Sequence, residues 1–347
     1  MARHSVHLPD QTDLLCIDGS FAGRVEILRT RFHSQRFPRH AHDTAVVGLG
    51  LEGAGSIWYR GRNHERVPGD VVVIPPDEVH TGGVGPGADV LSYLAVYLPS
   101  TTWSACAATA GIGIDECPDF RAPVIRDHGV AVELRRLYDV LWPARAATDQ
   151  STLRITPPDI DSAAAEEAIV HAVGRLVQRH GRSRSRADGA TYVGDAPQLV
   201  RSAREILEDC YADHTQTSVG ALARRAGVTP FHLIRSFTRA TGVSPHQYLL
   251  QVRVRHARQL LAGGRPPAIA AAMAGFVDQS QMTMHFKRYT GITPAHYQRC
   301  LGAPRMARGT SAYPSRAARF SSGGPTPSSP PASCPRGRPD TTRRRTL

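Results

Sequence analysis

The sequence has almost no lysine, no close pair of cysteines and no long apolar run. Its 42 basic residues include a single lysine, Lys287. The six cysteines are scattered without a CxxC pair, which excludes a small disulfide scaffold and predicts reduced thiols with structural roles. They are Cys16, Cys106, Cys117, Cys210, Cys300 and Cys334. No apolar run approaches the roughly 18 residues of a membrane span, and the first residues lack the apolar stretch of a signal peptide. We therefore expect a protein of the cytoplasm.

Charge is distributed unevenly along the 347 residues, a length that predicts two domains and a tail. Residues 1–196 contain 20 basic and 24 acidic residues, residues 197–301 contain 13 and 5, and residues 302–347 contain 9 and 1. The first part therefore has a charge that is ordinary for an enzyme or a ligand-binding domain. The remainder has the positive charge of a protein that binds a phosphate backbone.

The N-terminal half changes from a strand pattern to a helix pattern. From about Arg24 to Leu98, short apolar segments of period two are broken by glycine and proline, which predicts a β-sandwich or barrel. From His128 onward the apolar residues follow helical spacing. They form two stripes, Val130, Leu134, Leu137 and Leu141, then Ala165, Ile169, Val173, Leu176 and Val177. This helical hairpin either covers the barrel or joins two protomers, and a stripe alone does not distinguish these alternatives.

An internal duplication dominates the C-terminal half. TGVSPHQY, which begins at Thr241, matches TGITPAHY, which begins at Thr290, at an offset of 49 residues. In each copy a short helix, a turn and a second helix are predicted, with Thr229 and Asp278 as the equivalent caps of the second helices. The inward faces of the short helices are predicted to carry Val219, Leu222, Ala223 and Ala226 in the first copy, and Ile269, Ala272 and Met273 in the second.

The second helix of each copy has one apolar face and one polar, basic face. A spacing of 100° per residue predicts that Leu233, Phe237 and Ala240, and likewise Met282, Phe286 and Tyr289, are buried. The opposite faces carry Phe231, Arg235, Thr238 and Arg239 in the first copy, and Ser280, Thr283, Met284, Lys287 and Arg288 in the second. Such helices can enter the major groove, where side chains contact base edges and basic groups contact phosphates. A helix from Ser244 and Pro245 to about Ala262 would join the two units.

Residues Leu199 to Arg299 resemble the two-unit DNA-binding domain of the AraC family of bacterial transcription regulators. The segment AGFVDQSQMTMHFKRYTGITPAHYQ resembles the signature of that family. The resemblance implies that the base-contacting residues are Phe231, Ile234, Arg235, Ser280, Gln281 and Met284, with Thr238, Arg239, Lys287 and Arg288 on the same surface. Members of the family often have arginine where Met284 stands. We therefore expect the first unit to read the DNA sequence and the second mainly to position the protein.

The segment FPRHAHDTAVVGLGLEGAGSIWYRGRNHERVPGDVVVIPPDEVH resembles the cupin-like sensor domain of the same family. His40 and His42 are two residues apart on a predicted strand, so they should project to the same side. His80 ends the segment PPDEVH. Three converging imidazoles could bind Zn, Fe or Ni and leave a coordination position open.

The resemblance to metal-binding cupins is incomplete. Those proteins generally add a glutamate where Val46 and Val47 stand, and often an asparagine where Val84 stands. We therefore favour histidines that form hydrogen bonds in a small-molecule pocket, and we expect no metal and no cofactor. Trp58 and Tyr93 are further candidates for lining this pocket.

The expected fold is α+β with two domains. A cupin-like ligand-sensing barrel would span residues 1–125, a helical hairpin 126–181, a linker 182–197, the double helix-turn-helix domain 198–301 and a disordered basic tail 302–347. The expected function is that of a sequence-specific transcription regulator, an activator by resemblance, controlled by an unidentified small-molecule effector. It would not be an enzyme.

The expected partners are double-stranded DNA, the effector, RNA polymerase by resemblance, and a second copy of the chain. Two alternatives remain open. One is a metal-dependent cupin enzyme that carries helix-turn-helix units. The other is a nonspecific nucleoid protein that relies on the charge of +16 in residues 197–347.

Overall fold

The computed structural model describes residues 10–17, 23–109, 111–112, 117–142, 162–182 and 196–302. The predicted tail, except for its first residue, lies outside these ranges. The predicted linker does so as well, except for residues 182, 196 and 197. Within the described ranges, strands fill the N-terminal part and helices fill the C-terminal part, so the predicted α+β class is confirmed.

Two antiparallel sheets face each other in the N-terminal domain. The strands are β1 (Gln11–Ile17), β2 (Val25–Phe32), β3 (Arg36–His40), β4 (Ala45–Gly53), β5 (Gly55–Tyr59), β6 (Arg62–Arg66), β7 (Val71–Ile74), β8 (His80–Gly83), β9 (Leu91–Leu98) and β10 (Val124–Ile125). The larger sheet has the order β1-β2-β9-β4-β7-β10, and the smaller sheet has the order β3-β8-β5-β6. This is the predicted sandwich of short strands.

The central strands of the larger sheet are buried on both faces. Val46, Val72 and Ala95 pack against Ile57 and Tyr59 of the smaller sheet. Their neighbours in sequence point the other way, because successive side chains of a strand alternate between faces. This outer face, which includes Val47, Val71 and Val73, packs against helices.

Three helices cover the outer face of the larger sheet: α1 (Ser100–Thr109), α2 (His128–Leu141) and α3 (Ser162–His180). The helix α1 was missed by sequence reasoning because its apolar residues form no clear stripe. Trp103 and Cys106 anchor it all the same. Asp127 caps α2 by accepting a hydrogen bond from the amide of Val130 at 3.2 Å, and it also contacts His180 at the end of α3 at 2.8 Å. The start of α2 is thereby tied to the end of α3.

The two predicted helical stripes are buried within one protomer. Val130, Leu134, Leu137 and Leu141 are at most 2% exposed, and they share a core with the sheet and with α3. The prediction that these stripes join two protomers is therefore wrong, since their apolar surface is already covered within the same chain. The hairpin covers the barrel.

Eight helices follow in the described C-terminal residues. They are α4 (Ala196–Asp209), α5 (His214–Thr217), α6 (Val219–Arg225), α7 (Pro230–Thr241), α8 (Pro245–Ala262), α9 (Pro267–Met273), α10 (Gln279–Thr290) and α11 (Pro294–Gly302). The pairs α6–α7 and α9–α10 are the two predicted helix-turn-helix units, and α8 joins them. Thr229, Ser244 and Asp278 cap the helices α7, α8 and α10 with their side chains, as predicted.

The inward face of α9 differs from the prediction. Ala270, Ala271 and Ala274 are buried, whereas Ile269 is 48% and Met273 47% exposed. The two short helices are related by 48 residues and the two second helices by 49, so the turn of the second unit contains one additional residue. The predicted residues Ile269, Ala272 and Met273 lie 50 residues after their counterparts in α6, two more than the true offset, and two residues correspond to a rotation of about 200°. In the first unit Ala226 was also predicted to face inward, but it is the exposed C-cap of α6.

The repeated Thr-Gly pair has a structural role. The hydroxyl oxygens of Thr241 and Thr290 lie 2.9 Å and 2.8 Å from the carbonyl oxygens of Phe237 and Phe286, one turn earlier in each helix. Gly242 and Gly291 then end the helices with φ of 76° and 80°, a conformation that favours glycine. The duplicated motif therefore terminates the second helix of each unit.

No helix in the described part of the chain combines the length and the apolar composition that a membrane crossing requires.

Replacing Leu137 with alanine should lower the free energy of unfolding by about 2–5 kcal/mol, because the substitution leaves a cavity in a fully buried site. Chemical denaturation followed by circular dichroism measures this change. The exposed neighbour Arg136, replaced with alanine, is the matched control. Sedimentation should show the same oligomeric state for the Leu137→Ala variant and the wild type. Dissociation of an oligomer by this variant would contradict the intramolecular role of the stripe.

Candidate functional site

One face of the larger sheet is shared between the two domains. The strand pairings place Leu14, Leu28, Ala95, Gly48 and Val72 in one row across this face. Ala95 and Val72 cover the interior of the barrel. Leu14 and Leu28 instead share a core with the C-terminal helices. The C-terminal domain therefore packs on a continuation of the surface that forms the barrel interior.

Polar groups accompany this apolar contact. Glu26 on β2 accepts a hydrogen bond from the Tyr297 hydroxyl at 2.7 Å, and it also pairs with Arg258 of α8. The side-chain oxygen of Gln251 accepts a hydrogen bond from the amide of Ala41 at 2.9 Å. Burial lowers the pKa of Arg258, but the attraction of Glu26 and the neighbouring tyrosines outweighs burial and raises it overall. Arg258 is therefore charged, and its charge is compensated from the other domain.

The interior of the barrel contains a cavity of about 600 Å³, counted to its open mouth. Both sheets and α10 contribute to its wall. The lining residues are Phe37, His40, His42, Val46, Gly48, Ile57, Arg66, Val72, Ile74, His80, Thr81, Gly82, Gly83, Tyr93, Ala95, Tyr97 and Tyr289. Most of the wall is thus apolar or aromatic.

Three predicted histidines converge on this cavity. The ring centres of His40 and His42 lie 4.3 Å and 4.9 Å from that of His80, and the candidate ligand nitrogens of all three lie within 4.8 Å of one another. Each Nδ1 lies 2.8–2.9 Å from a backbone carbonyl oxygen. Since a carbonyl only accepts, each Nδ1 carries the proton and each Nε2 retains a free lone pair.

Burial determines the charge of the three imidazoles. Burial is the main cause that lowers the pKa of all three. The pKa of His42 falls to about 3, and the pKa of His80 falls well below its ordinary value. The charge of His40 adds to the shifts of His42 and His80. The cluster is therefore neutral at pH 7. It presents three hydrogen-bond acceptors to the cavity.

The same three nitrogens could hold a metal ion. Metal-ligating histidines generally have the same arrangement, in which one ring nitrogen donates a hydrogen bond and the other is free to bind the metal. Among the described residues the cluster contains three ligands and no carboxylate. Zinc bonds of about 2.0–2.1 Å in a tetrahedral site would bring the nitrogens to roughly 3.3 Å from one another, so the more separated members of the cluster would have to move closer. The donor set permits a metal but is not closed around one.

Arg66 is the single fixed charge among the described residues that line the cavity. It is 5% exposed, and its guanidinium carbon lies 4.2 Å from the centre of the Tyr93 ring. Its Nε has no hydrogen-bond partner among the described residues, and burial lowers its pKa. The contact with Tyr93 contributes about 0.5–2 kcal/mol, whereas burying a charge costs several kcal/mol. The guanidinium is thus incompletely compensated.

Of the two predicted aromatic pocket residues, Tyr93 lines the cavity and Trp58 does not. On β5, Ile57 points into the barrel, so the adjacent Trp58 points away from it. Trp58 instead stacks against Arg39, whose guanidinium carbon lies 3.9 Å from the ring centre. Including Trp58 among the pocket residues was therefore wrong.

Sequence reasoning missed Arg66 and Tyr97 as cavity residues, and it treated Tyr289 as core. The sequence contains a pattern that could have predicted the inward orientation of Arg66. The hairpin turn at Arg60 and Gly61, both with positive φ, pairs Gly55 with Arg66 and so directs Arg66 inward. No pattern along the chain could have brought Tyr289 to the barrel, because that contact depends on how the two domains pack.

His40, His42, Tyr97 and Tyr289 separate the barrel cavity from a second cavity that lies between the domains. Tyr289 belongs to α10, and its ring centre lies 6.4 Å from that of His40. The ends of both second helices also contact the barrel. A methyl group at Gly242 would lie 3.3 Å from Val79, and one at Gly291 would lie 3.3 Å from Phe32 and Phe37. The barrel thus contacts both helix-turn-helix units, and its cavity wall contacts the second unit.

The predicted DNA-contacting residues lie on the surface. Phe231 is 73%, Ile234 39% and Met284 57% exposed. Arg235, Arg239, Ser280, Lys287 and Arg288 are also exposed, and Thr238 and Gln281 are half-buried. The carbonyl oxygen of the Gln281 side chain accepts a hydrogen bond from the amide of Val277 at 3.0 Å. Each second helix therefore presents a polar, basic face that is not used for packing.

Two family models match this chain. A helix-turn-helix domain matches residues 222–299, and an AraC-like ligand binding domain matches residues 23–157. One match lies in the C-terminal domain and the other lies mainly in the barrel domain.

Two relatives match about three quarters of this chain. The HTH-type transcriptional regulator YbfI of Bacillus subtilis, itself uncharacterized, is 27% identical over 262 residues, which are 74% of this chain and 86% of that protein. The arabinose operon regulatory protein of Escherichia coli is 23% identical over 259 residues, which are 73% and 80%. The crystal structure of ToxT from Vibrio cholerae superposes with a TM-score of 0.43 at 10% identity, covering 84% of this chain and 98% of that one.

Lowering the pH from 7 to 4 should destabilise the barrel, because the three histidines are neutral in the folded chain and take up protons on unfolding. Since the pKa of His42 is about 3 when folded and near 6.5 when unfolded, the unfolded state binds more protons between these values. Replacing His42 with glutamine should reduce the slope of unfolding free energy against pH by up to about 1.4 kcal/mol per pH unit. Urea titrations at a series of pH values measure it, with His232→Gln as the exposed control. An unchanged slope would contradict a neutral, buried His42.

Replacing Glu26 with glutamine should weaken the contact between the domains, because Arg258 then lacks a carboxylate. We expect a loss of about 1–3 kcal/mol, as for hydrogen bonds to a charged group. Hydrogen exchange of the full chain should become faster in β2, α8 and α11. Tyr297→Phe, which removes one hydrogen bond and retains the ion pair, should have a smaller effect. Equal exchange in wild type and Glu26→Gln would argue against this ion pair as a support of the interface.

Proposed function

The chain belongs to the AraC family of bacterial transcription regulators, and we propose that a small molecule in the barrel cavity controls how the two helix-turn-helix units bind DNA. The family relationship makes it a DNA-binding transcription regulator with a ligand-binding domain. The relatives are regulators and not enzymes, and the alternative of a metal-dependent enzyme has no support among them.

The exposed faces of α7 and α10 are the proposed DNA surface. Phe231, Ile234 and Arg235 would contact bases from the first unit, and Ser280, Gln281 and Met284 from the second. Thr238, Arg239, Lys287 and Arg288 would contact phosphates. The exposure of these residues supports the proposal, as does the excess of basic residues in this part of the chain. Because Met284 offers no hydrogen-bond donor to guanine, the second unit would contribute less to sequence discrimination.

Tyr289 is the observation that carries the proposed control. It lies on α10, next to the proposed DNA surface, and it also lines the barrel cavity. A ligand that fills the cavity differently in two arrangements of the domains must favour one of them. By linkage, DNA that prefers one arrangement must change the affinity for the ligand by the same factor. Gly242 and Gly291 extend the contact with the barrel to both units.

The proposal has three finer parts. The division into a barrel (1–125), a hairpin (126–181), a linker (182–197), a DNA-binding domain (198–301) and a tail (302–347) rests on the patterning and composition of the sequence together with the family resemblance, which does not extend to the tail. Activation through contact with RNA polymerase rests on the resemblance alone, and action in the cytoplasm on where bacterial DNA lies. A second protomer would match paired half-sites on DNA. It would have to use a surface other than the buried stripes of α2 and α3. No cofactor is proposed.

Selection of random duplex DNA by the full-length protein at near-physiological salt tests the regulator function. We expect a motif of two blocks with centres about one helical turn, roughly 10 bp, apart. Enrichment of no sequence would overturn specific regulation and favour the nonspecific nucleoid alternative, whose binding would fall steeply with salt.

In the same assay Arg235→Ala should lose about 1–3 kcal/mol of discrimination at one position of the first block. Met284→Ala should change specificity little, and Lys287→Ala should weaken binding to all sequences alike. Arg62→Ala, which removes one positive charge from an exposed position of the barrel, is the matched control. A larger loss of specificity for Met284→Ala than for Arg235→Ala would contradict the proposed division of work between the units.

A further inference from the structure

We propose that the ligand of the barrel cavity is a monocarboxylic acid with an apolar body, and that its carboxylate pairs with Arg66. This inference rests on the proposed effector function of the cavity and names the chemical class of the effector.

Arg66 has the surroundings of an anion-binding residue that lacks its anion. Its side chain is buried to 95%, lines the cavity and has an Nε without a hydrogen-bond partner among the described residues. The nearby carboxylate of Asp70 attracts Arg66, but its hydrogen bonds come from the amide of Val67 at 3.0 Å and from Arg126 at 3.4 Å. A guanidinium with an unpartnered Nε is suited to a carboxylate, which it can bind through two parallel hydrogen bonds.

The charge of the cavity favours a ligand with one negative charge. Arg66 is the single side chain with a fixed charge among its described lining residues, and each of the three histidines directs the proton of its Nδ1 to a backbone carbonyl oxygen. A phosphate monoester carries nearly two negative charges at pH 7. It would leave part of its charge buried without a partner. A carboxylate matches the one positive charge.

The position of Arg66 orients the ligand along the barrel. Arg66 pairs with Gly55 at one end of β5, whereas His80 pairs with Tyr59 at the other end. Four residues of strand separate these ends by roughly 13 Å. Between them the wall is apolar and includes Val46, Ile57 and Val72. A carboxylate at Arg66 therefore places an apolar body along the barrel and its far end near the histidines and Tyr289.

The far end of such a ligand would lie beside the contact with α10. The histidine nitrogens accept hydrogen bonds, so a hydroxyl or amide hydrogen at this end would find a partner. Small acids that stop short of His40 would bind without touching Tyr289. We therefore expect binding to require Arg66, and coupling to DNA to depend also on the length of the ligand.

The experiment compares acids with their neutral amides. The purified full chain is titrated by calorimetry with benzoate, phenylacetate and octanoate, and with the corresponding carboxamides. We expect at least one acid to bind at least tenfold more tightly than its amide. Arg66→Met should abolish this preference, and Arg66→Lys, which keeps the charge and loses the fork, should retain part of it. Arg62→Met removes an exposed arginine from the same strand and should leave the preference unchanged.

Two results would overturn the proposal. One is that no acid binds the wild type more tightly than its amide. The other is that Arg66→Met, folded by circular dichroism, keeps the preference for the acid. Neither result depends on DNA. A protein that selects a DNA motif but shows no preference for acids would therefore refute the assignment of Arg66 and leave the regulator function intact. A protein that prefers acids but selects no motif would refute the regulator function alone.

Discussion

The larger sheet of the barrel has one continuous inner face on which two different bodies pack. Its central strands close the cavity with Val46, Val72 and Ala95, and the edge strand β1 and its neighbour β2 carry the DNA-binding domain on Leu14 and Leu28. A sheet of paired strands is stiff, because each strand is fixed by the hydrogen bonds of its neighbours. The surface that lines the cavity is therefore continuous with the surface that positions the second helix-turn-helix unit.

Buried polar groups concentrate where this shared face turns from cavity to interface. The three histidines are fixed by backbone carbonyls, and Glu26 receives Arg258 and Tyr297 from the other domain. Such groups are costly to bury unless their hydrogen bonds are made. They consequently specify the geometry of the contact more strictly than the apolar residues around them. Arg66 differs from them, because its Nε has no hydrogen-bond partner among the described residues.

The repeat and the alternation of apolar residues in the sequence predicted different amounts of the structure. The repeated TGVSP and TGITP segments identify two equivalent units, because the helix caps and C-terminal glycines are local features. The orientation of α9 did not follow from the repeat, because the short helices are offset by 48 residues and the second helices by 49. In the barrel, alternation predicted strands but not which residues face the cavity, and Trp58 was assigned to the wrong side for that reason.

The sequence by itself determined the α+β class, the family, the caps of the helices and the polar faces of α7 and α10. These features depend on residues that are near one another in the chain, where periodicity and spacing act directly. Only the tertiary structure decided that the stripes of α2 and α3 are buried within one chain, that His40, His42 and His80 meet, and that Tyr289 reaches the barrel. Each of these contacts joins segments that are far apart in sequence. They form because the apolar faces of separate elements must be covered at the same time, a constraint that no single segment contains.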